Sequence, residues 1–216
     1  MISVKTVRDF DKNEMDPKAL FRIGYGLYLV TARQGDRDNG MIANAVMQVT
    51  NDPQRIAVAL NKESFTHDMI CATGKLNVSC LAIDTPFSVF EHFGMKSGKT
   101  VSKFDGFPAQ RATNGVLLCT EYANACFSLD VEQTLDLGTH TMFLCRVVAA
   151  SVLSDKPTLT YDEYHRSVKP KSPAKQTKGY VCRICGYVYE GDPLPDDFIC
   201  PICKHGVADF EPIGEK

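Results

Sequence analysis

Four cysteines near the C-terminal end, Cys182, Cys185, Cys200 and Cys203, form two C-x-x-C pairs. In such a turn both sulfurs project to one side and the following backbone N–H groups point at them, so two turns face to face make a tetrahedral thiolate cage. Sulfur in that geometry suits zinc and iron alike, and the spacing leaves the metal open. The chain has nine cysteines in all, the other five (Cys71, Cys80, Cys119, Cys126 and Cys145) being scattered. An odd total, with charges rather than an apolar run from Met1 to Glu14, argues against an exported disulfide scaffold. It favours a reducing, cytoplasmic setting with a metal site. The cage also answers a folding problem, because residues 179–216 are too few to bury enough apolar surface unaided.

A second group with chemical potential lies in the first third of the chain. Ala43, Asn44 and Ala45 are small or polar, which would let a strand backbone approach a flat ring and hydrogen-bond its edge. Asn61, Lys62, Ser64 and Thr66 fall in a strand-to-helix turn, where hydroxyls, an ammonium and the free N–H groups of a new helix can hold a phosphate. Taken singly, Ser64 and Thr66 read equally as helix N-caps. His140 stands alone after Gly138-Thr139, a position where a histidine is commonly structural or solvent-exposed.

The elements that must position these residues are mostly strands. Asp16-Pro17 starts a short helix through Ile23. Segments 25–31, 40–49 and 55–61 are rich in β-branched and aromatic residues and are separated by Gly35-Asp36 and Asn51-Asp52-Pro53. Further strands are expected at 75–82, 116–120, 125–136 and 141–152, with helices at 65–73 and 87–93, the second placing Phe87, Phe90 and Phe93 on one face. The fold class is mainly β: an antiparallel barrel or sandwich with a few helices, followed by a small metal domain. No internal repeat and no glycine-rich loop of the P-loop or Rossmann type occurs.

Composition changes at Ser167. From there to Lys178 the chain has two prolines, four lysines and no acid, a composition that cannot drive its own folding. The expected organisation is a domain over 1–166, a linker over 167–178 and a second domain over 179–216. A dozen such residues reach roughly 20 to 37 Å. Of 216 residues, 44% are apolar and 23% charged, with a net charge of -2. Those values describe a globular chain and give no electrostatic reason to seek nucleic acid or an anionic membrane.

Two resemblances sharpen this reading. Tyr180-Val181-Cys182-Arg183-Ile184-Cys185-Gly186-Tyr187, then Phe198-Ile199-Cys200-Pro201-Ile202-Cys203, closely resembles rubredoxin, a one-iron electron carrier. The aromatic set Tyr180, Tyr187, Phe198 and Phe210 belongs to the same likeness. The loop between the pairs is shorter than in free-standing rubredoxins and resembles the rubredoxin modules of rubrerythrins. Lys204 stands where a glycine usually follows the second pair, at a bend with positive φ. A zinc ribbon is the alternative. The run from Asn39 to Thr50, then Asp52-Pro53, then Val58 to His67, resembles the flavin reductase family with its FMN-binding split β-barrel, over about residues 15 to 160. That resemblance implies FMN against Ala43, Asn44, Ala45, Val46 and Thr50, its phosphate at Asn61, Lys62, Ser64 and Thr66, and Lys103 near the cofactor. It also implies a catalytic place beside the nicotinamide or flavin for His140, although Thr139 replaces the acid of the usual Gly-Asp-His.

Together the two parts resemble the layout of high-molecular-weight rubredoxins. The expected chemistry is hydride transfer from NADH or NADPH to FMN and single-electron transfer to an iron held by four cysteines. The iron domain would then reduce an outside protein, such as a flavodiiron protein that reduces dioxygen or nitric oxide. A homodimer is implied by the barrel family. The alternatives are a reductase of free flavin or ferric chelates, and a non-catalytic zinc-ribbon binding protein.

Overall fold

The computed structural model describes residues 17–170 and 179–213. The chain divides between Lys169 and Pro170 into two compact units.

The first unit is built on seven antiparallel strands. These are β1 (Tyr28–Gln34), β2 (Arg37–Ala43), β3 (Val46–Asn51), β4 (Gln54–Asn61), β5 (Lys75–Leu81), β8 (Ala123–Asp136) and β9 (His140–Val152), in the spatial order β2-β1-β5-β8-β9-β4-β3. That order forces closure. β2 and β3 stand at opposite edges, yet only Asn44 and Ala45 join them, and three peptide steps span about 10 Å. Seven strands laid flat would put those edges about 29 Å apart. The sheet therefore curls into a barrel whose two edges meet at Asn44-Ala45. The sequence reading treats 40–49 as one strand; the crossing from one sheet edge to the other is what breaks it.

Inside the barrel lie Val30, Val58, Leu60, Leu76, Val78, Leu129 and Phe143, each at most 1% exposed. One helix, α1 (Phe65–Thr73), packs Met69 and Ile70 against this core. Its end is set by Gly74, at φ 67°, whose N–H donates to Ile70 O. A second apolar cluster joins Leu27, Leu29 and Leu81 to Val89, Phe90 and Phe93. These last come from α2 (Phe87–Phe90), which runs on as a π-helical turn over Glu91–Met95. Cys119 and Cys145 are fully buried. Burial also pushes the Cys145 thiol up to about 12 and the Cys80 thiol up to about 11, so both stay protonated.

Other expected elements shift modestly. A 3-10 helix covers Pro17–Arg22, while Asp16 lies outside the described residues. The strand expected at 116–120 shortens to β7 (Leu117–Leu118), paired with β6 (Gln110–Arg111), which sequence patterning misses. Polar side chains hold this hairpin to the barrel. Asn77 Nδ2 donates to Val116 O at 2.9 Å, Asn114 Nδ2 donates to Asn77 Oδ1 at 2.7 Å, and Thr31 Oγ1 donates to Leu117 O at 2.6 Å. Asn77 is wholly buried. Replacing it with Leu strands a carbonyl and an amide, and urea titration should show a loss of about 2 to 4 kcal/mol. A change below about 0.5 kcal/mol would mean that water takes over both partners.

A helical turn, α3 (Tyr161–Glu163), and a π-helical turn over Tyr164–Val168 follow the barrel. The expected linker overlaps that turn at Ser167 and Val168, and residues 171–178 lie outside the described residues. The second unit has three short strands, β10 (Tyr180–Cys182), β11 (Val188–Tyr189) and β12 (Phe210–Pro212), in the order β11-β10-β12. Phe198 sits at its centre, 4.6 Å from the Tyr189 ring and 5.3 Å from the Phe210 ring.

Candidate flavin and metal sites

The four cysteines of the second unit converge. Their sulfurs all lie within 4.8 Å of one another, with Cys182 to Cys203 at 3.5 Å and Cys185 to Cys200 at 3.4 Å. A metal–sulfur distance of about 2.3 Å requires a tetrahedral edge of about 3.8 Å, so an ion fits with small adjustments. Backbone N–H groups of Ile202 and Cys203 point at the Cys200 sulfur, that of His205 at Cys203, and that of Tyr187 at Cys185. Such donors stabilise thiolates. Burial is asymmetric: Cys182 and Cys200 are at most 1% exposed, while Cys185 and Cys203 are half-buried. The centre thus has one face close to solvent, flanked by exposed Ile202 and Ile199.

In the barrel, three chain segments meet. The end of β2 and the β2–β3 joint (41–46) are half-buried, and Ala45 O accepts from Ala59 N of β4 at 2.9 Å. The turn from β4 into α1 lies alongside, because Ser64 Oγ donates to Met41 Sδ at 2.9 Å. The start of β9 completes the group: His140 pairs with Asn61, and Lys62 N donates to Thr139 O at 3.0 Å. Ala43, Asn44, Ala45, Val46, Asn61, Lys62, Ser64 and His140 therefore share one neighbourhood.

Its polar groups are an open helix end and a lysine paired with an acid. Ser64 is the N-cap residue of α1 but makes no side-chain cap bond, so the first-turn N–H groups are not closed off by it. Lys62 Nζ lies 2.6 Å from Asp136 Oδ1 at the tip of the β8–β9 hairpin. That hydrogen bond, with another from Gly138 N–H, holds the Asp136 carboxyl below the ordinary carboxylate range. The His140 ring nitrogen Nδ1 is 2.9 Å from Thr139 Oγ1, so the threonine takes the ring-orienting place expected of an acid.

Three expected residues are placed differently. Thr66 is fully buried, its hydroxyl accepting from Asn39 Nδ2 at 3.0 Å, so it supports the turn from beneath. Lys103 is 3% exposed and donates inward to Gly40 O at 2.9 Å and Phe93 O at 2.8 Å. It fastens β2 to the π-helical turn. Thr50 lies near the far end of β3, about 13 Å along the strand from Val46, and its hydroxyl donates to Pro53 O in the adjoining turn. Sequence reading passes over Asn39, Asp136 and Arg37. Asn39 is buried, with Oδ1 unpartnered among the described residues, and it abuts Gly98, where any Cβ would come within 2.1 Å of that oxygen. Arg37 lies over the Phe65 ring at 4.5 Å and donates to Gly98 O.

Both units match known protein families. Residues 20–169 match the model of the flavin reductase like domain, and residues 180–211 match that of the rubrerythrin, rubredoxin-like domain. The chain is 38% identical to a high molecular weight rubredoxin of Moorella thermoacetica, over 92% of this chain and 100% of that one. It is 41% identical to a ferric-chelate reductase (NAD(P)H) of Archaeoglobus fulgidus, over 76% of this chain and 96% of the relative. Among solved structures, an NADH:FAD oxidoreductase of Streptomyces globisporus superposes with a TM-score of 0.61 at 21% identity, covering 75% of this chain and 98% of that one. That likeness shows the fold. A flavin and an iron on four cysteines are accordingly the redox groups of this oxidoreductase. The chain belongs to the flavin reductase-like family and, with its C-terminal rubredoxin-like domain, is a homologue of high-molecular-weight rubredoxin.

Proposed function

We propose that this protein takes a hydride from NADH or NADPH at an FMN held in the barrel and passes electrons singly, through the four-cysteine iron, to a redox protein. A flavodiiron protein that reduces dioxygen or nitric oxide is the proposed acceptor. The observation that carries this reading is the meeting of 41–46, 61–66 and 136–140 in a chain that also closes a four-sulfur cage. FMN supplies the conversion between two-electron and one-electron transfer. The protein's part is positioning. Ala43 to Val46 offer a backbone edge to the ring, Ser64 and the open N–H groups of α1 face the phosphate, and Lys62 offsets its charge. His140, oriented by Thr139, borders the place where the nicotinamide approaches. In the second unit, half-buried Cys185 and Cys203 are the exit face.

Nine cysteines, four of them gathered in the metal cage, suit a reducing cytoplasm, and no helix among the described residues is long and apolar enough to cross a membrane. A homodimer is part of the proposal. Edge strand β3 exposes Met47 (63%) and Val49 (41%), and β9 exposes Val148 (41%) and Val152 (80%), apolar surface of the kind that a second subunit covers. Light scattering at the monomer mass would refute it.

The phosphate assignment has its own test. Replacing Lys62 with Gln should weaken FMN binding about tenfold, or about 1.4 kcal/mol, and leave riboflavin binding unchanged, as read by quenching of flavin fluorescence. Asp136→Asn, which frees Lys62 from its carboxylate partner, should tighten FMN by about two- to fivefold. Equal losses for both flavins would move the phosphate elsewhere.

A further inference from the structure

The two cysteine turns repeat one backbone plan. In the first, Gly186 N–H donates to Cys182 O at 2.8 Å and Cys182 N–H donates to Tyr187 O at 2.8 Å. In the second, Lys204 N–H donates to Cys200 O at 2.9 Å and Cys200 N–H donates to His205 O at 2.8 Å. Gly186 and Lys204 thus occupy equivalent positions, with φ of 75° and 63°. Glycine takes up this left-handed conformation freely, whereas the Cβ of lysine crowds the following carbonyl. Lys204 is the one non-glycine residue with positive φ among the described residues. Strain of that kind persists where the side chain does something that glycine cannot.

What lysine adds is positive charge. Among the described residues of this unit only Arg183 and Lys204 are lysine or arginine, and each sits in a cysteine turn. The acids Glu190, Asp192, Asp196, Asp197, Asp209 and Glu211 lie outside both turns. Arg183 Nη2 donates to Ala208 O at 2.6 Å, and Lys204 is exposed.

We propose that Lys204 raises the reduction potential of the four-cysteine iron centre, the strained turn serving to hold a cation one residue beyond a ligand. The inference rests on the iron reading above. Ferric iron with four thiolates carries a charge of about -1, and one electron received from the reduced flavin makes it about -2 with no proton taken up. A neighbouring cation favours the more negative state, so it draws the electron from flavin to iron. A solvent-exposed charge should shift that equilibrium about two- to tenfold, tenfold being about 59 mV for a one-electron couple.

The test uses the full chain loaded with iron and FMN, titrated spectroelectrochemically as parent, Lys204→Gln, Lys204→Arg and Lys204→Gly. The Gln and Gly variants should lower the iron potential alike, by an amount that shrinks as salt is added, and the Arg variant should keep it. Only the Gly variant should also raise the midpoint of thermal unfolding of the second unit, because it relieves the left-handed strain. A Gln variant at the parent potential overturns the proposal. A shift confined to Gly overturns it too, by assigning the effect to the backbone. Native-source parent protein that holds stoichiometric zinc and no iron colour would overturn the iron reading itself, an outcome distinct from a coloured centre whose potential ignores the charge.

Discussion

Replacing Cys200 with Ser should leave the reduction of bound FMN by NADH within about twofold of the parent and should cut electron delivery to a protein acceptor by at least about 100-fold. The asymmetry follows from where the parts are. Cys200 is a fully buried member of the sulfur cage, and losing one thiolate removes a ligand together with the N–H contacts built around it. The residues proposed for the flavin lie in the other compact unit. In stopped-flow mixing of the intact protein with reduced nicotinamide, flavin bleaching should precede iron bleaching. A chain ending at Lys169 that still serves the acceptor at full rate would refute iron as the exit and promote direct reduction of free flavin or ferric chelates. A metal that never changes redox state would leave the zinc-ribbon reading standing.

The parts of this molecule legible in sequence are those governed by local rules. Helix α1 ends where expected because Gly74 alone can take the left-handed cap, and the cysteine turns are legible because ligand spacing and ligand geometry are one constraint. The bend at Lys204 is equally local, and its positive φ is what a glycine-type position requires. The joint at Asn44-Ala45 was not legible, because the break between β2 and β3 arises from closure of a seven-stranded sheet. Nor does sequence tell which way a polar side chain turns. Thr66 and Lys103 have the chemistry to meet a phosphate, yet Thr66 accepts from the amide of Asn39 and Lys103 donates to the carbonyls of Gly40 and Phe93. Ser64, two residues before Thr66, points to Met41 at the β2 edge. Only the folded backbone separates these cases.

The inward turn of Lys103 has a measurable consequence. Its ammonium is 3% exposed and bonded only to uncharged backbone carbonyls in the contacts above, and burial pulls its pKa down from 10.5 to about 8. Below pH 8 the group is protonated both folded and unfolded, and the fold bears the cost of burying a charge. Between pH 8 and 10.5 the unfolded chain binds the extra proton, so stability rises with pH across that window. The gain attributable to Lys103 between pH 7 and pH 10 is about 2 kcal/mol. Lys103→Met has no such gain and leaves two carbonyls without a donor, so its deficit against the parent should widen from about 1 kcal/mol at pH 7 to about 3 kcal/mol at pH 10. Urea titrations of both proteins at the two pH values measure this directly, because the other thiols, tyrosines and lysines titrate alike in each and cancel in the difference. Parallel stability curves would mean that the ammonium is hydrated in solution. The stretch that carries Lys103 would then have to lift away from Gly40, and β2 would lose its tie to the π-helical turn beside the strand end proposed to face the flavin.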